Sequence, residues 1–502
     1  MTSRFESHGR ISGRGWRAVS GALALVVMLL LTATAARAQE SSRYHVLYAF
    51  TGTDGDGEFP LGSVIRDREG NLYGTTFNGG DLSGCFGAGC GVVFKVDPAG
   101  KETILYSFTG GADGANPAMG LLRDEAGNLY GTTHGGGDLS GNPVCSTFFG
   151  FPGCGVVFKV DPAGKETPLY AFTGGADGLG PASGLVRDRE GNLYGTTGFG
   201  GNFAGDCPGE ALPGCGVVFK LDATGKETVL HTFTGDADGY SPYGDLLLDA
   251  EGNLYGTAVA GADTSGTCSN VGGFLGCGTV YKLDRTGKFN VLHSFKGTDG
   301  AGPNGFLVRD HEGSLYGMTF YGGGLSACSG LGCGVVFKLD CSGKLTVLYS
   351  FTGGADGAAP GASVIRDADG NLYGTTNLGG AVNGSLCGGV GCGVVFKLDA
   401  TGKETVLHVF TGAMDGANPD ANLLLDEERN LYSTAVGGGD LSCSPTYGCG
   451  VVFKFASHED RESDESAAPV ASSEAGKAAL TEDAPKQLQQ NLRRRYQIGG
   501  PQ

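Results

Sequence analysis

The sequence predicts an all-β fold, a seven-bladed β-propeller of four-stranded blades. Two motifs, NLYGTT and CGVVFK or close variants of them, each occur seven times with a period of about 60 residues, which indicates a repeat architecture. The repeats also begin with one lone strand and end with three, and together these make one blade. A blade shared between the two ends closes a ring and leaves no open strand edge. A linear β-solenoid is the alternative, but it has no need of complementary partial repeats.

Each repeat offers four short strands, named a to d, that are rich in Val, Leu, Phe, Tyr and Thr and are bounded by turn residues. In the first repeat they are Leu61–Asp67, Asn71–Thr76, Gly91–Asp97 and Lys101–Phe108. The segment Tyr44–Phe50 matches strand d and precedes the first repeat. We expect it to complete the last repeat, which supplies strands a, b and c only.

Two of the four connections in each repeat are tight turns and two are longer loops. An aspartate opens the a–b and c–d turns, as Asp67 and Asp97 do, and a glycine such as Gly70 or Gly100 follows where a positive φ is needed. The b–c loop carries cysteines and the d–a loop carries Asp-Gly. Because the strands are antiparallel, we expect the tight turns on one face of the propeller and the two loops on the other.

The two ends of the chain differ from the repeats. Residues 1–38 have the pattern of a secretory signal, with a positive region at Arg10, Arg14 and Arg17, an apolar stretch over residues 22–31 and the cleavage motif Ala36-Arg37-Ala38. An uncleaved anchor is the alternative, although the apolar stretch is short for a bilayer. The predicted propeller spans residues 39–456. Residues 457–502 are rich in Glu, Asp, Ser and Ala and lack a strand pattern, so we expect a disordered tail.

The fifteen cysteines occur as one pair per repeat plus Cys341. Each pair lies within one b–c loop, so we predict local disulfides, as suits a secreted, periplasmic or cell-surface protein. Zinc is the alternative, but a structural site takes four ligands and no histidine accompanies the pairs. We expect Cys341 on the tight-turn face, where it is able to cross-link two chains. The pairs are Cys85 with Cys90, Cys145 with Cys154, Cys207 with Cys215, Cys268 with Cys277, Cys328 with Cys333, Cys387 with Cys392 and Cys443 with Cys449.

The first candidates for a ligand site are the aspartates of the d–a loops. A ring of carboxylates there is one interpretation, and the stretch Asp54–Glu58 is the most calcium-like, although it lacks the spacing of an EF-hand loop. The interpretation that we favour is a turn that the fold demands, because seven repeats share it. These aspartates are Asp54, Asp113, Asp177, Asp238, Asp299, Asp356 and Asp415.

Two further candidates break the repeat, as a catalytic or binding group should. His134 lies in a b–c loop where other repeats have Phe77, Gly198 or Asn377, and Glu210 lies in the long loop 202–212. No Ser-His-Asp order or phosphate loop is present. We therefore predict no catalytic residue, no metal and no cofactor, with calcium as the one open option.

One lysine per repeat occupies the same position of strand c, mostly with an aspartate two residues later on the same face of the strand. We predict repeated ion pairs there; a site for anionic groups is the alternative. The lysines are Lys95, Lys159, Lys220, Lys282, Lys338, Lys397 and Lys454.

The string G-N-L-Y-G-T-T followed by G-G, then G-x-V-F-K-x-D, G-K and T-x-L-x-S-F, resembles the GloVer tandem repeat of exported bacterial proteins with varied cell-surface anchoring signals. The resemblance covers residues 44–455. It implies a propeller-like repeat protein outside the cytoplasm.

The function that we predict is an exported, non-catalytic propeller that presents disulfide-pinned loops to a glycan or a protein. Uniform repetition without a catalytic cluster favours it. The formal net charge of −18 argues against nucleic acid as a partner, and we expect no membrane span after signal cleavage. One alternative is an extracellular lyase or hydrolase that acts on polysaccharide at the channel mouth. A structural surface component, attached through Cys341 and the tail, is the other.

Overall fold

The structure, a computed structural model, describes residues 43–53, 55–137, 144–145, 153–201, 207, 213–380, 387–444 and 447–457. In this part of the chain, seven antiparallel sheets are each built on four strands in the order a, b, c, d, with strand a nearest the central axis. The prediction of a seven-bladed all-β propeller is therefore confirmed. The predicted signal segment and residues 458–502 of the predicted tail lie outside the described residues. Within those residues, no helix combines the length and hydrophobicity that crossing a membrane requires.

The blades are numbered 1 to 7 in the chain order of their strands a. The a strands are Ile65–Arg66, Leu122–Arg123, Val186–Arg187, Leu247–Leu248, Val308–Arg309, Ile365–Arg366 and Leu424–Leu425. The b strands are Leu72–Thr76, Leu129–Thr133, Leu193–Phe199, Leu254–Ala258, Leu315–Tyr321, Leu372–Thr376 and Leu431–Ala435. The c strands are Val92–Val96, Val156–Val160, Val217–Leu221, Thr279–Leu283, Val335–Leu339, Val394–Leu398 and Val451–Phe455. The d strands are Glu102–Ser107, Glu166–Ala171, Glu227–Thr232, Phe289–Ser294, Leu345–Ser350, Glu404–Val409 and, in blade 7, Tyr44–Ala49.

The ring closes through the N-terminal strand, as predicted. Tyr44–Ala49 pairs antiparallel with Val451–Phe455, so that the two ends of the repeat region share blade 7. Beside this pair, the Arg43 guanidinium donates a hydrogen bond to the carbonyl oxygen of Ala456 at 2.9 Å. In blade 7 the outermost strand therefore comes from the N-terminal end of the repeat region, and the three inner strands come from its C-terminal end.

Strand a is shorter than the sequence predicts. We expected Leu61–Asp67 in blade 1, and only Ile65–Arg66 pairs with strand b. The preceding residues converge on the axis, where the chain contacts the neighbouring blade: the Thr75 hydroxyl of blade 1 donates to the carbonyl oxygen of Met119, 3.0 Å away in the next blade. Short segments elsewhere add to the sheets or loops. They are Gly57–Glu58, Asn78–Gly79, Leu179–Pro181 and Ala301–Pro303 as strands and Cys85–Gly87, Gly266–Ser269 and Cys328–Gly330 as 3-10 turns.

One pair of aromatic rings packs across each seam between neighbouring blades. The phenylalanine after strand d meets, edge to face, the aromatic residue of strand c in the next blade. Phe108 and Phe158 have centroids 5.0 Å apart, and Phe50 and Phe94 join blades 7 and 1 at 5.1 Å. Such pairs stabilise by about 0.5–1.5 kcal/mol beyond the burial of their area. The other pairs are Phe172–Phe219, Phe233–Tyr281, Phe295–Phe337, Phe351–Phe396 and Phe410–Phe453.

A second belt of contacts joins the blades on the tight-turn face. Arg123 of strand a lies over the ring of Tyr73 in the preceding blade, with the guanidinium carbon 5.7 Å from the ring centroid. This arrangement favours attraction between the cation and the electron-rich ring face. The equivalent pairs are Arg66–Tyr432, Arg187–Tyr130, Arg309–Tyr255 and Arg366–Tyr316.

The predicted ion pairs of the strand c lysines are present only in part: Lys338 pairs with Asp310 of the a–b turn at 3.8 Å, and not with the aspartate two residues later. The aspartate two residues later is used by the c–d turn, where Asp97 accepts hydrogen bonds from the backbone N–H groups of Ala99 and Lys101, both at 2.9 Å. That bonding confirms the predicted turn chemistry. The amino groups of four lysines lie instead over the strand b tyrosine of their own blade, 5.3–5.7 Å from its centroid. These lysines are Lys220, Lys282, Lys338 and Lys397.

Candidate functional site

All seven predicted cysteine pairs are disulfides, with Cα atoms 4.8–6.1 Å apart. Each bridge lies on the loop face; in blade 1 it packs against Gly110 of the d–a loop, where a Cβ would lie 2.9 Å and 3.0 Å from the two sulfurs. The prediction of local disulfides is confirmed, and the b–c loops are pinned beside the d–a loops. The bridges join Cys85 to Cys90, Cys145 to Cys154, Cys207 to Cys215, Cys268 to Cys277, Cys328 to Cys333, Cys387 to Cys392 and Cys443 to Cys449.

The disulfides are anchors of the loops and not groups that a ligand would meet. The second cysteine of every pair directly precedes strand c and is buried, so each b–c loop is tied to the core of its blade at that point. These buried cysteines are Cys90, Cys154, Cys215, Cys277, Cys333, Cys392 and Cys449. Cys341, by contrast, is free and exposed, and its thiol donates to the carbonyl oxygen of Glu312 at 3.0 Å.

The carboxylates of the d–a aspartates are engaged within their own loops. Asp113 accepts hydrogen bonds from the backbone N–H and the hydroxyl of Thr109 at 2.7 Å and 2.6 Å, and from the Tyr106 hydroxyl at 2.9 Å. These are the bonds that the turn interpretation expects. Because Tyr106 belongs to the outermost strand, the structure places this carboxylate toward the rim and not in the central channel. A tyrosine or histidine of strand d approaches the same carboxylate at Asp177, Asp238, Asp299, Asp356 and Asp415.

In the first d–a loop the aspartate of this kind is Asp56. Its Oδ2 accepts from the backbone N–H and the hydroxyl of Thr51 at 2.7 Å and 2.6 Å, while Oδ1 accepts from the N–H of Gly57 at 2.6 Å. Asp54, which we proposed from the sequence, lies outside the described residues, as does Glu210.

Among the described residues, the one group with metal-like spacing is Glu58 with Cys443 and Cys449, and those two cysteines are bonded to each other. Ligand or calcium binding at the d–a aspartates stays a prediction.

Four seams carry a glutamate against this aspartate. The first residue of strand d in the next blade lies beside the tyrosine–aspartate pair, as Glu166 does beside Tyr106 and Asp113. Burial and then the nearby Asp113 charge raise the pKa of Glu166 to about 7, and burial with Asp56 raises the pKa of Glu102 to about 8. Glu227 and Glu404 are equivalent, and their pKa values are raised to about 7 by burial and by Asp177 and Asp356.

The three other seams have histidine in strand d and an apolar residue in place of the glutamate. His231 stacks on Phe289 with centroids 3.7 Å apart, and His408 stacks on Tyr44 at the same distance. The third histidine, His293, lies 2.9 Å from the Asp299 carboxylate. These contacts make the three histidines packing residues of the seams. The seams are therefore of two kinds, which the repeat pattern alone did not predict.

The central channel is narrow, and it is lined by residues that follow the proline in six of the seven d–a loops. Several of its side chains differ from blade to blade, including Tyr243, Asp245, Asn304, Phe306, Asp420 and Asn422. Some of them hold neighbouring blades together: the N–H of Gly184 donates to the Asp245 carboxylate at 2.5 Å, and the N–H of Ser363 donates to the side-chain Oδ1 of Asn422 at 2.8 Å. The channel therefore combines aromatic, amide and carboxylate groups in one place.

His134 lies at the mouth of this channel on the loop face. It is 8% exposed, its backbone N–H donates to the carbonyl oxygen of Asn116 at 3.2 Å, and its ring lies 6.2 Å from that of Phe77 in blade 1. The six equivalent residues of the other blades are of four types, and none is a histidine. They are Phe77, Gly198, Val259, Phe320, Asn377 and Val436.

An apolar cleft opens at the mouth between blades 4 and 5. Its walls are Val259, Val271, Phe274, Phe320 and Tyr321, each only 4–6% exposed, so the cleft is shallow. Asn304 reaches it as well as the channel. A concave surface of apolar side chains with a few polar groups is the usual form of a ligand site.

Sequence reasoning found His134 but missed the channel residues. Their signal is present in the sequence, since the three positions after each d–a proline vary while the flanking motifs repeat. Strand a was expected to include these positions as ordinary strand residues. In the structure only two residues of strand a pair with strand b, and the three positions after the proline turn into the channel instead.

The geometry defines the chain as a disulfide-pinned propeller with a non-repeating channel mouth, and its sequence places it in a family. The model of the Gloeobacter/Verrucomicrobia repeat matches residues 34–269 and 264–463. The chain therefore belongs to this repeat family, in agreement with the resemblance found in its motifs. No curated protein matches the sequence.

Several solved structures have a similar arrangement. Two are extracellular domains of proteins from B. thetaiotaomicron assigned to two-component systems of the hybrid type: one is 12% identical with a TM-score of 0.47, covering 83% of this chain and 41% of that one. The other is 9% identical with a TM-score of 0.47, covering 82% and 39%. A gluconolactonase from Xanthomonas campestris is 13% identical with a TM-score of 0.37, covering 82% and 89%. This chain spans about two fifths of the length of the first two.

Proposed function

We propose that this protein is an exported, non-catalytic recognition module that binds a glycan or a protein at the channel mouth on its loop face. The observation that carries the proposal is the distribution of non-repeating side chains. Strands b and c and the tight turns repeat closely, whereas the channel wall and mouth carry side chains that differ among most blades. Non-repeating side chains on a concave surface of a rigid scaffold are typical of a binding site.

The disulfides support a location outside the cytoplasm. Seven bridges are present, one in each b–c loop. Disulfides persist in oxidising compartments and are rare in the cytosol. The predicted signal in residues 1–38 agrees with this location. We therefore place the protein in the periplasm, at the cell surface or in the medium.

The groups at the mouth suit a ligand with both apolar and polar parts. Phe320 and Tyr321 line the cleft with aromatic rings, and Asn304 adds a side-chain amide. In the channel below, Asp245 and Asp420 provide carboxylates. Hydroxyl groups of a sugar or backbone groups of a peptide both match this set.

The experiment is retention of the oxidised protein by a panel of polysaccharides, with new reducing ends measured in the same samples. The matched variant is His134→Asn, which places at the mouth of blade 2 the residue that blade 6 carries as Asn377. We expect retention without new ends, and at least a several-fold weaker affinity of the variant. If no polysaccharide retains the protein, a glycan is excluded as its ligand within the panel. The proposed ligand is then a protein, which cross-linking to surface proteins of the producing cell tests.

The enzymatic alternative has one observation in its favour. Asp245 and Asp420 depart from the repeat and line the same channel, and paired carboxylates serve in glycoside cleavage. New reducing ends that disappear in Asp420→Asn would replace the recognition module with a polysaccharide-acting enzyme.

A further inference from the structure

We propose that the loop face binds a basic protein segment, that is, a segment rich in lysine and arginine. The inference rests on the protein alternative of the proposed function, and it names the charge and the class of the partner. It is carried by the distribution of charge over the two faces of the propeller and by buried polar groups at the channel mouth.

Nearly all basic side chains of the propeller lie on the side of the tight turns. Between residues 43 and 457 the chain has 24 lysines and arginines, and 23 of them lie in strand a, near the end of strand c, just before strand d or in the tight turns. The exception is Lys296, in the d–a loop between blades 4 and 5. Because strands a and c end at the tight-turn face and strand d begins there, the loop face receives a single basic residue of these two types.

The loops that build the opposite face carry mostly carboxylates. The described residues include 39 aspartates and glutamates, and 14 of these lie in the d–a and b–c loops. The parts of these loops outside the described residues add four acidic residues by sequence and no lysine or arginine. The tight-turn side is close to balanced, with 25 acidic and 23 basic residues. The negative charge of the propeller is therefore concentrated on the loop face.

At the channel mouth, two buried polar groups are left without a partner. Asn116 and Ser241 occupy equivalent positions before the d–a proline, and both are fully buried. The Asn116 amide donates to the carbonyl oxygen of Phe77, whereas its Oδ1 and the Ser241 hydroxyl have no hydrogen-bond partner among the described residues. Buried polar groups are normally bonded, so these two point to a ligand that supplies donors. A lysine ammonium or an arginine guanidinium offers only donors.

The carboxylates of the loop face suit a large cation better than a metal ion. Asp356 accepts hydrogen bonds from the backbone N–H and the hydroxyl of Thr352 at 2.8 Å and 2.6 Å, and from the Tyr349 hydroxyl at 3.1 Å. These neutral donors leave the negative charge in place but occupy lone pairs that calcium would need. A polycation is attracted by the summed field of many carboxylates and needs no direct ligation by each of them.

The width of the channel favours a protein segment over a polymer of amino sugars. The channel is narrow, and the carboxylates of Asp245 and Asp420 lie in its wall. Lysine carries its charge at the end of a flexible four-carbon stem. An amino sugar carries its ammonium directly on the ring, which is wider than such a stem. A basic side chain is therefore able to approach these two carboxylates, whereas a sugar ring stays at the rim.

The test measures binding of a short labelled peptide of alternating lysine and serine to the full-length oxidised protein by fluorescence anisotropy. A glutamate–serine peptide and chitosan, a cationic polysaccharide, are the comparisons. One triple variant removes charge from the loop face, and a matched triple variant removes the same charge from exposed glutamates of the tight-turn face. The first combines Asp81→Asn, Asp236→Asn and Asp440→Asn, and the second combines Glu69→Gln, Glu125→Gln and Glu427→Gln.

The loop-face variant is designed to keep its loops folded. Asparagine retains the side-chain oxygen with which Asp81 and Asp440 accept the N–H groups of Ser83 and Ser442. We expect the lysine peptide to bind, with a Kd about five-fold weaker or more in the loop-face variant and within about two-fold of wild type in the tight-turn variant. Its Kd should also weaken about ten-fold between about 50 mM and about 200 mM salt, because salt screens the field.

Four results overturn the inference. Equal weakening in the two triple variants shows that the net charge matters and the face does not. A glutamate peptide that binds as tightly as the lysine peptide excludes a cationic partner. Chitosan bound more tightly than the peptide, with the same dependence on the loop face, replaces the protein segment with a cationic glycan. If the lysine peptide does not bind while His134→Asn weakens retention on a polysaccharide, this inference fails and the mouth site of the proposed function stands. Unfolding curves of wild type and both variants provide the folding control.

Discussion

Single glycines of strand b decide how tightly the blades pack. A Cβ at Gly74 would lie 2.6 Å from the ring of Phe94, which is itself buried against Phe50. Blade 7 has Ser433 at this position, and its seam is the one with the widest ring pair, 5.5 Å between Phe410 and Phe453. The residue type at this single position therefore sets the fit of a whole seam.

We expect Gly74→Ala to lower the free energy of unfolding by about 1–3 kcal/mol, the usual cost of overpacking a core. Urea unfolding measures it. Gly324→Ala is the matched control, because no atom lies within 4 Å of its added Cβ and its φ is not positive. If both variants unfold like wild type, the ring is free to move and the seam is not tightly packed.

Asn116 joins blades 1 and 2 at the channel mouth. Its φ is 58°, and its side-chain amide donates to the carbonyl oxygen of Phe77 at 2.9 Å. Asn418 repeats the arrangement with Asn377 in blades 7 and 6. We expect Asn116→Gly to lower the free energy of unfolding by about 1 kcal/mol, because the hydrogen bond is lost. Asn116→Ala should lower it further, because alanine disfavours this φ. Urea unfolding of the pair checks the order, and an alanine variant more stable than the glycine variant would contradict the backbone argument.

At the scale of the strand, strand d makes stability depend on pH. In the folded protein the pKa of Glu102 is about 8 and those of Glu166, Glu227 and Glu404 are about 7, above the ordinary value of about 4.3. Between the two values the folded state binds more protons, so stability falls as the pH rises from about 5 to about 8. Hydrogen bonds to Thr234 and His231 lower the pKa of Asp238 despite its burial, so stability also falls in strong acid.

We therefore expect the highest urea midpoint in mildly acidic buffer. Glu166→Gln removes one of the four glutamates, so the loss of stability between about pH 5 and pH 8 should become smaller by roughly one quarter. The exposed Glu69→Gln is the control and should leave the profile unchanged. A profile that rises from pH 5 to pH 8 in wild type would show that these glutamates are ionised without cost.

Most strands were predictable from the sequence, and the channel was not. Strands b, c and d follow from alternating apolar residues between turn signals, which are local features. Strand a begins late because the residues before it bond to the neighbouring blade, as Met119 does with Thr75, and such a contact depends on how blades converge around an axis. The two kinds of seam were hidden for the same reason, since Glu166 and Tyr106 lie in different repeats.

At the scale of the whole molecule, the ring depends on one strand taken from the other end of the repeats. Without Tyr44–Ala49, the edge of Val451–Phe455 is open, and the seam between blades 7 and 1 loses Phe50. An open edge of apolar residues pairs with other chains. A chain that starts at residue 51 should therefore unfold at lower urea and form oligomers in light scattering. A chain that starts at residue 43 keeps the strand and is the control, expected to be monomeric with a wild-type midpoint. Equal behaviour of the two chains would show that blade 7 is stable with three strands and that closure contributes nothing measurable.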